Sequence, residues 1–372
     1  MSEFNLEAYL TKGVEQIVRG IWKASLKNPR ATIFMAQYIK SNKEANNRRR
    51  QLEQYGKHIA PFLIASITTS CNLHCKGCYA RANHNCFDGT DPKHQMLTSD
   101  EWSRIFDEAE ELGISFILLA GGEPMLRTDV LEKAGGHKKI LFPIFTNGTM
   151  FKEEQMKLLK AYPNLMPVIS IEGKAATTDH RRGEGVYNKL LSSIENLEKH
   201  GVVFGSSVTV QKDNMQEVMG DDFLQLLIDK GCKAVVYVEY VPVNPDTVSI
   251  APDDEDREYM KKRLMVLREK YPELVFISFP GDEITSGGCL AAGRGFFHIN
   301  AYGGAEPCPF SAYSDTSLKE VSLEQALESP LFLNLQSSGT LLTEHAGGCV
   351  LFEQEEIVKA FCNKSNTQEK IV

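Results

Sequence analysis

Apolar and polar positions alternate in blocks along residues 61–245 of the chain. Apolar runs rich in β-branched residues are separated by segments whose apolar residues recur every three or four positions. Continuously apolar strands that alternate with amphipathic helices are typical of a parallel sheet covered by helices. The pattern therefore predicts an α/β fold, either an open doubly wound sheet or a partial barrel. The six predicted strands are residues 62–69, 114–120, 140–146, 166–171, 202–210 and 234–242.

The helix after the first strand has the clearest boundary signal. Trp102, Phe106 and Ala109 share one face, and Thr98 with Glu101 has the spacing of a capping box. In either candidate fold, binding and catalytic residues belong at the carboxyl ends of the strands.

The first 57 residues have a different pattern and are predicted to form an N-terminal helical segment. Apolar residues recur at helical spacing over residues 6–22, Pro29 interrupts them, and a second helical run reaches about residue 55. Residues 1–55 hold ten Lys or Arg and five Asp or Glu, a balance of +5 in a chain whose net charge is −8. Such a segment can contact a membrane surface or an acidic partner, or it can pack on the main domain. Aromatic residues do not interleave with the basic ones, so nucleic acid is not an expected partner.

The composition is that of a globular protein large enough for two or three domains, with 372 residues, 42% apolar and 24% charged. No apolar run approaches the roughly 20 residues that span a bilayer, and no signal peptide is recognisable. Nine cysteines at irregular spacing, without a secretory signal, are typical of reduced thiols. The sequence therefore predicts a cytoplasmic protein in which several cysteines hold metal.

Four predicted strands run directly into residues suited to binding or catalysis. The first is followed by three cysteines, and the second by Gly121-Gly122-Glu123-Pro124. The third ends in Thr146-Asn147-Gly148 and the fourth in Ser170-Ile171-Glu172-Gly173. Any one of these is an ordinary turn sequence, but the carboxyl ends of parallel strands meet at one rim. Together they predict a binding site at that rim.

The three cysteines, Cys71, Cys75 and Cys78, have the spacing C-x3-C-x2-C. A loop of this length can wrap three thiolates around one face of a cubane iron–sulfur cluster and leave the fourth iron free for a small molecule. A zinc site would need a fourth ligand and would leave the motifs at the other strand ends unexplained. The candidates for that fourth ligand are His74, His84, Cys86 and His94.

These motifs resemble the radical S-adenosylmethionine (radical SAM) superfamily over about residues 60–245. The cysteines match the family's cluster motif, and Gly121 to Pro124 match its Gly-Gly-Glu-Pro motif, which is associated with the methionine amino group. The stretch SIEGKAATTDHRRGEG resembles the Ser-Ile-Asp-Gly…Asp-x-x-Arg-Gly pattern of the branch that carries extra clusters. The resemblance implies a partial (β/α)6 TIM-type barrel with a [4Fe–4S] cluster and S-adenosylmethionine (SAM) as cofactors.

By the same resemblance, Ser170 faces the SAM ribose and Arg182 the SAM carboxylate. Many members have an aromatic residue just before the third cysteine, where this chain has Gly77 and places Tyr79 just after it. Because the cofactors carry the difficult step, no catalytic side chain is predicted. The expected cofactor contacts are Gly77, Tyr79, Gly121, Gly122, Glu123, Asn147, Ser170, Glu172, Arg182 and Tyr240.

A second cysteine set lies towards the carboxyl end. Cys289, Gly303 and Cys308 have thirteen residues before the glycine and four after it, which resembles the C-x(9–15)-G-x4-C opening of SPASM and twitch extensions. Those extensions hold auxiliary iron–sulfur clusters, and a turn at the glycine brings the flanking cysteines together. Only Cys349 and Cys362 follow, so these four cysteines predict one auxiliary cluster, of the [4Fe–4S] type.

The motifs divide the chain into three predicted parts. Residues 1–57 are the helical segment, residues 58–283 the partial barrel, and residues 284–372 a small α+β extension for the auxiliary cluster. Cys232, just before the sixth strand, is predicted to be a buried core residue.

The segment NHNCFDGTDPKHQM, residues 83–96, is an unusually long connection that should lie over the mouth of the barrel. His84, Cys86 and His94 are candidates for substrate contacts, and Cys86 also for a cluster ligand. The alternative is a surface loop with an incidental thiol.

The resemblance implies an enzyme that reductively cleaves SAM to a 5′-deoxyadenosyl radical, which then takes hydrogen from a substrate. Auxiliary clusters in similar enzymes often accompany peptide or protein maturation, which is the expected role; the alternative substrates are a small molecule, a tetrapyrrole or a lipid. A non-catalytic iron–sulfur electron carrier or sensor is a further alternative, but it would not need the motifs that face SAM. Expected partners are an electron donor, such as a ferredoxin or flavodoxin, and a peptide or small-molecule substrate.

Overall fold

The computed structural model describes residue 22 and residues 29–88, 95–243, 245–281, 288–342 and 349–368. The predicted helix over residues 6–22 lies outside the described residues except for Trp22, and so does His94.

The described residues contain a single nine-stranded sheet. Numbered along the chain, its strands are β1 Phe62–Ser66, β2 Phe116–Ala120, β3 Phe142–Thr146, β4 Leu165–Ser170, β5 Gly205–Val210, β6 Ala234–Glu239, β7 Val275–Phe279, β8 His298–Ile299 and β9 Ala305–Glu306. Their order in the sheet is β7-β6-β5-β4-β3-β2-β1-β8-β9. Neighbouring strands are parallel except for β8 and β9, and the sheet curls into a half-barrel. The predicted partial barrel is therefore confirmed.

The helices in the described residues are α1 Pro29–Gln54, α2 Tyr79–Ala82, α3 Ser99–Leu112, α4 Thr128–Gly136, α5 Glu153–Ala161, α6 Ala175–Arg182, α7 Val186–Lys199, α8 Met215–Val218, α9 Asp221–Asp229, α10 Asp254–Lys270, α11 Leu323–Leu327, α12 Pro330–Ser337, α13 Val350–Glu353 and α14 Glu355–Gln368. Helix α3 begins with the predicted capping box, in which the Thr98 side chain accepts from the Glu101 N–H and the Glu101 side chain accepts from the Thr98 N–H. It ends at Gly113, whose φ of 83° suits glycine. The apolar face of α3 is buried against the sheet.

All six predicted strands are present, and β7 is a seventh that the pattern did not predict. It pairs in parallel with β6, from Val275 opposite Ala234 to Phe279 opposite Val238. The strand is five residues long and lies at the edge of the sheet. So short an apolar run cannot be told by its periodicity from a loop between two elements.

Helix α1 covers the amino-terminal end of the barrel. Phe34, Met35 and Tyr38 are buried in a cluster with Leu141, Met166, Val168 and Val236, which lie on one face of the sheet, and the Tyr38 hydroxyl donates to the Ser115 carbonyl at 2.8 Å. Arg49, in the basic run, is buried and donates to the carbonyl at the end of α3. This part of the basic segment thus packs on the main domain. None of the described helices is both long and apolar enough to cross a bilayer.

The carboxyl-terminal region shares the same sheet. Strand β8 pairs in parallel with β1, with Ile64 opposite His298, and β9 pairs with β8. The segment between Cys289 and Cys308 is therefore positioned by main-chain hydrogen bonds to the barrel.

Candidate active site

The first three cysteines lie in the loop between β1 and α2. All three thiols are free and partly exposed, and Cys78 is the N-cap of α2. The Leu73 N–H donates to Cys71 Sγ at 3.5 Å, and Arg182 Nη1 donates to Cys75 Sγ at 3.9 Å. Burial raises the pKa of Cys75, while Arg182 and Arg181 act in the opposite direction and favour the thiolate, which is the form that binds metal.

Cys86 lies against this loop. The Phe87 N–H donates to the Thr69 carbonyl at 2.9 Å, which holds the neighbouring Cys86 beside the start of the cysteine motif. A hydrogen bond from the Cys86 thiol lowers the pKa of Cys71 to about 6, and the same bond raises the pKa of Cys86. Cys86 is buried, so it is a neighbour of the first cysteine set rather than an exposed surface thiol.

Of the candidate zinc ligands, Cys86 lies beside the three cysteines, whereas the described histidines His74 and His84 are exposed. His74 forms a pair with the exposed Asp88 at 2.9 Å, and His84 lies beyond α2 with a φ of 57°. No three His, Cys, Asp or Glu side chains in the described ranges are close enough to hold a single metal ion. A cubane cluster does not require that closeness, because each thiolate binds a different iron.

The Gly121-Gly122 pair lies directly on the backbone that leads into the cysteine loop. The Gly122 N–H donates to the Thr68 carbonyl and the Glu123 N–H to the Ser70 carbonyl, both at 2.8 Å. A Cβ at Gly121 would lie 2.3 Å from the Thr68 oxygen, and one at Gly122 would lie 2.2 Å from the Ser70 oxygen. Only glycine permits this approach, which fixes the cysteine loop to the end of β2.

The Glu123 carboxylate joins two strand ends, those of β2 and β3. It accepts from the Met125 N–H at 3.0 Å, from Thr146 Oγ1 at 2.7 Å and from the Asn147 N–H at 2.7 Å. Burial raises the pKa of Glu123 to about 7, although these donors act in the opposite direction. All its described partners are protein groups, so Glu123 organises the rim and leaves the adjacent main chain to face a ligand.

A charged cluster lies beside Cys75. The fully buried Glu172 accepts from Arg182 Nη2, from Arg181 Nε at 3.1 Å and from the Thr209 N–H at 2.8 Å. Both guanidinium groups have only about a tenth of their surface exposed. One carboxylate thus orients two arginines towards the cysteine loop and leaves one positive charge in excess.

Three buried polar atoms in this cluster have no hydrogen-bond partner among the described residues: Arg181 Nη1, Arg182 Nε and Tyr240 Oη. The Arg181 guanidinium lies 5.8 Å from the centre of the Tyr240 ring. Buried polar groups are almost always satisfied, so unpaired donors beside an excess positive charge indicate the place of an anionic ligand. A carboxylate such as that of SAM fits these donors.

Gly77 explains why this chain lacks an aromatic residue before Cys78. Its φ is +65°, and a Cβ there would lie 2.5 Å from Tyr240 Oη. The ring of Tyr240 therefore occupies the space that a larger residue at position 77 would need. The aromatic surface at this point comes from the end of β6 instead of from the cysteine loop.

The remaining predicted contacts also lie at the rim. Asn147 Nδ2 donates to Asn72 Oδ1 at 2.8 Å and lies 3.9 Å from Cys71 Sγ. The hydroxyls of Ser170 and Ser207 are 3.0 Å apart on neighbouring strands. Ser207 was not predicted, but its position in an alternating strand pointed to the same face as Ser170.

The face of the sheet that carries Ser170 is apolar and partly open. The pairing register places every second residue of β1 to β7 on this concave face, and none of those described residues is Lys or Arg. Four of its half-exposed members pack against the α1 cluster: Phe116, Phe145, Val238 and Ile277. The other half-exposed members are Phe62, Leu118, Ser170, Thr209, Val275 and Phe279.

Three of the four later cysteines converge. A hydrogen bond from Cys308 lowers the pKa of Cys349, while burial and the same bond raise the pKa of Cys308. The Cys289 thiol is near enough to Cys308 to raise that pKa further, and the Cys289 N–H donates to the Leu341 carbonyl at 2.8 Å. Cys289, Cys308 and Cys349 therefore form a second thiol cluster.

Cys362 lies on α14, with its thiol 3.5 Å from the Ser314 carbonyl. Burial and the nearby Asp315 raise its pKa, and Cys362 is not among the neighbours that shift the pKa values of Cys308 and Cys349. Cys232 is buried in the core as predicted, with its thiol 3.1 Å from the Ala234 carbonyl.

The two cysteine sets are joined by an aromatic contact. Tyr79, just after Cys78, packs on Phe310, just after Cys308, with ring centres 4.8 Å apart. Burial raises the pKa of Tyr79, and the thiols of both sets raise it further. Phe310 was not predicted, because only the fold brings its segment to α2.

Residues 65–224 match the family model described as the radical SAM superfamily. The chain therefore contains a radical SAM domain, and its relatives carry the names of enzymes. Membership of this family implies a [4Fe–4S] cluster and SAM.

Three known proteins are similar to this chain. It is 24% identical over 257 residues to the Fe-coproporphyrin III synthase of Methanosarcina barkeri, covering 68% of this chain and 62% of that one. It is 26% identical over 309 residues to the subtilosin biosynthesis protein AlbA of Bacillus subtilis, covering 77% of this chain and 66% of that one. The crystal structure of Streptococcus suis SuiB bound to the precursor peptide SuiA superposes with a TM-score of 0.66 at 18% identity, covering 84% of this chain and 77% of that one. The chain thus spans less than two thirds of the length of the first two relatives, and the likeness to SuiB establishes the fold.

The sequence missed one prominent member of the radical SAM site, Arg181. The two consecutive arginines in Asp179-His180-Arg181-Arg182-Gly183 could have pointed to Arg181. Burying a second positive charge without a partner costs free energy, so two adjacent arginines indicate a place for an anionic group. The motif alone assigned a role to Arg182 only.

Proposed function

We propose that this enzyme cleaves SAM reductively at a cluster held by Cys71, Cys75 and Cys78 and takes hydrogen from an apolar part of a peptide or protein. The observation that carries the proposal is the set of unpaired buried donors, from Arg181, Arg182 and Tyr240, beside three free thiols at one rim. A pure electron carrier would have no use for those donors.

When bound, the cluster and SAM supply a 5′-deoxyadenosyl radical that removes a hydrogen atom from an unactivated C–H bond. The protein's task is to bind and orient. In this proposal Arg182, with Arg181, binds the SAM carboxylate, and Glu172 holds both guanidinium groups in place. Ser170 faces the ribose, and the Tyr240 ring beside Gly77 provides the surface for the adenine. The Gly121-Gly122 main chain faces the methionine amino group.

Cys289, Cys308 and Cys349 are proposed as ligands of one auxiliary cluster of the [4Fe–4S] type. Their support is the convergence of the three thiols and their distance in the chain from the first set. Cys362 was also predicted as a ligand, and its described neighbours, Ser314 and Asp315, support it less. The limits of the three predicted parts, at residues 57/58 and 283/284, stay proposals.

The concave face favours a peptide over a tetrapyrrole. One relative is named for a tetrapyrrole, Fe-coproporphyrin III, and another for the biosynthesis of a bacteriocin. The carboxylates of such a tetrapyrrole need cations, whereas the described concave face of β1 to β7 has aromatic and aliphatic side chains and no Lys or Arg. An apolar side chain of a peptide suits this surface better. A lipid or another small apolar molecule is the second candidate.

We further propose an electron donor such as a ferredoxin or flavodoxin as a partner, because reductive cleavage consumes an electron that the chain does not generate. A cytoplasmic location accords with cysteines that are present as reduced thiols.

The test uses anaerobically reconstituted full-length protein, dithionite and SAM, with 5′-deoxyadenosine as the readout. Wild type should form it, Cys75→Ala should not, and Cys232→Ala, which removes a thiol outside both sets, is the matched control. Wild-type protein that binds iron but forms no 5′-deoxyadenosine would favour the carrier or sensor. If Fe-coproporphyrin III accelerates 5′-deoxyadenosine formation, the tetrapyrrole replaces the peptide as substrate.

A further inference from the structure

A buried chain of hydrogen bonds lies where β1 meets β8 and β9. Ser66 Oγ is 2.7 Å from His298 Nε2, and His298 Nδ1 is 2.7 Å from Glu306 Oε2. Asn300 Nδ2 donates to Glu306 Oε1 at 2.6 Å. The residues come from three strands, and none of them is used by the proposed SAM site.

The order of partners fixes how the histidine is protonated. Glu306 can only accept when ionised, so His298 Nδ1 carries the hydrogen of that contact. In neutral His298 the Nε2 lone pair then faces Ser66, whose hydroxyl donates to it. Asn300 is oriented in turn, because its Oδ1 accepts from the N–H groups of Tyr302 at 3.0 Å and Gly304 at 2.9 Å. The arrangement is that of a hydroxyl backed by a base and a carboxylate.

Ser66 is the end of the chain that faces the barrel interior. His298 and Glu306 are 1% and 2% exposed, Ser66 is 6% exposed at the carboxyl end of β1, and Asn300 at the other end is half-buried. The register places Ser66 opposite Ala120 on the concave face, on the same side as the half-exposed Phe62. A group bound on that face meets the Ser66 hydroxyl before the histidine.

A structural role alone does not account for this composition. Burying an ionisable pair costs desolvation free energy, and apolar side chains of similar volume often give the same stability. The surrounding concave face is built of such apolar residues. A hydroxyl on the concave face, rather than an apolar side chain, keeps the pair connected to whatever occupies that face.

We infer that Ser66, His298 and Glu306 form a proton relay that serves a substrate on the concave face. Ser66 takes a proton from an O–H, N–H or S–H group of the substrate as its own proton passes to His298 Nε2. Glu306 then balances the imidazolium. Hydrogen abstraction from carbon is a separate event, so a substrate that must also lose a proton requires such a base. The inference rests on the proposed function for the presence of a substrate at this face.

The other ionisable groups near the relay are few in the described structure. The Tyr79 phenol faces Glu306 from α2, and Cys308 follows Glu306 by two residues. Neither is among the described hydrogen-bond partners of His298, so His298 exchanges protons through Ser66.

Phenylmethanesulfonyl fluoride is a suitable probe, because its aromatic group suits the Phe-lined face and it reacts with activated serines. An Oγ–S bond forms, the S–F bond breaks, fluoride leaves and the serine proton goes to His298. Mass spectrometry of reconstituted full-length protein should find the sulfonyl group on Ser66. His298→Gln should reduce labelling at least tenfold, whereas His137→Gln, which removes a histidine paired with Asp107 outside the site, should not change it. Unlabelled wild-type Ser66, or equal labelling in His298→Gln, would overturn the inference.

A second variant tests the carboxylate. Glu306→Gln removes the charge that balances the imidazolium on His298 and should also slow labelling of Ser66. Equal labelling in Glu306→Gln would contradict the relay. Because labelling uses neither SAM nor a reductant, a failure here is distinguishable from a failure to form 5′-deoxyadenosine.

Discussion

The two cysteine sets of this enzyme are built in different ways. Cys71, Cys75 and Cys78 lie in one loop, held by main-chain hydrogen bonds to neighbouring strand ends. Cys289, Cys308 and Cys349 come from distant segments that meet only because β8 and β9 join the barrel sheet. A site made by a short loop can be recognised from spacing, while a site made by long-range pairing cannot be assigned ligand by ligand.

Their surroundings differ as well. The first set is bordered by two arginines and unpaired donors, as a place for an anionic cofactor requires. In the second set Cys308 is 2% exposed, Cys289 and Cys349 are partly exposed, and Tyr79 and Phe310 lie between the two sets. The two arginines beside the first set support the proposal that SAM binds there.

The largest effect is expected from Cys71→Ala, Cys75→Ala and Cys78→Ala combined. Reconstituted wild type should bind about eight iron atoms per chain, from two cubane clusters, and the triple variant about four. Without the first cluster, 5′-deoxyadenosine formation should fall to zero. Iron analysis and chromatography measure both quantities. A triple variant that keeps all its iron would show that the first set holds no cluster.

The reciprocal change, Cys289→Ala with Cys308→Ala, should also leave about four iron atoms. Because the proposed SAM contacts all lie in the barrel, this variant should still cleave SAM under dithionite while failing to form the final product. Circular dichroism controls for folding. If it binds SAM yet cannot cleave it, the second cluster delivers electrons to the first.

Arg182→Ala tests whether the unpaired donors bind SAM. Losing a buried, charge-assisted contact should weaken SAM binding by about 2–4 kcal/mol, or roughly 30- to 900-fold in Kd. Arg181→Ala should weaken it less, since Arg182 keeps its contacts with Glu172 and Cys75. Equilibrium binding to reconstituted protein measures both. Unchanged affinity in Arg182→Ala would mean that the carboxylate site has been misplaced.

Glu123→Gln tests the rim through its pH dependence. The folded pKa of about 7 exceeds the ordinary value of 4.5, so folding favours the protonated acid. That stabilisation is complete below about pH 4.5 and is lost as the pH rises through 7, a change of up to about 3 kcal/mol. The amide of the variant cannot ionise. The apparent Tm of wild type, relative to the variant, should therefore fall between pH 5 and pH 8; a constant difference would show that Glu123 titrates alike in both states.

The smallest effect is expected from Cys362→Ala. Its described neighbours are Ser314 and Asp315, so the variant should keep nearly all its iron, whereas Cys349→Ala should lose about four atoms. Equal losses in the two variants would restore Cys362 as a ligand.

The sequence determined the sheet, the rim and the first cluster site. Strand periodicity predicted β1 to β6 because buried parallel strands are continuously apolar. The spacing of the three cysteines was informative because a single loop holds them. Gly121-Gly122 was informative because only glycine permits the close approach of two main-chain segments at neighbouring strand ends. Arg182 was identified by its motif. Only the structure added Arg181 to the site and showed that the Tyr240 ring lies beside Gly77.

Tertiary structure alone decided the rest. Strand β7 is a short edge strand, and β8 and β9 are two residues each, so their pairing leaves almost no periodic signal. Ser66, His298 and Glu306 carry no motif in the sequence, because their hydrogen bonds span up to 232 positions. Spacing along the chain constrains only what a single loop or element can bring together. Contacts across the sheet depend on register, which is set by the whole packed core.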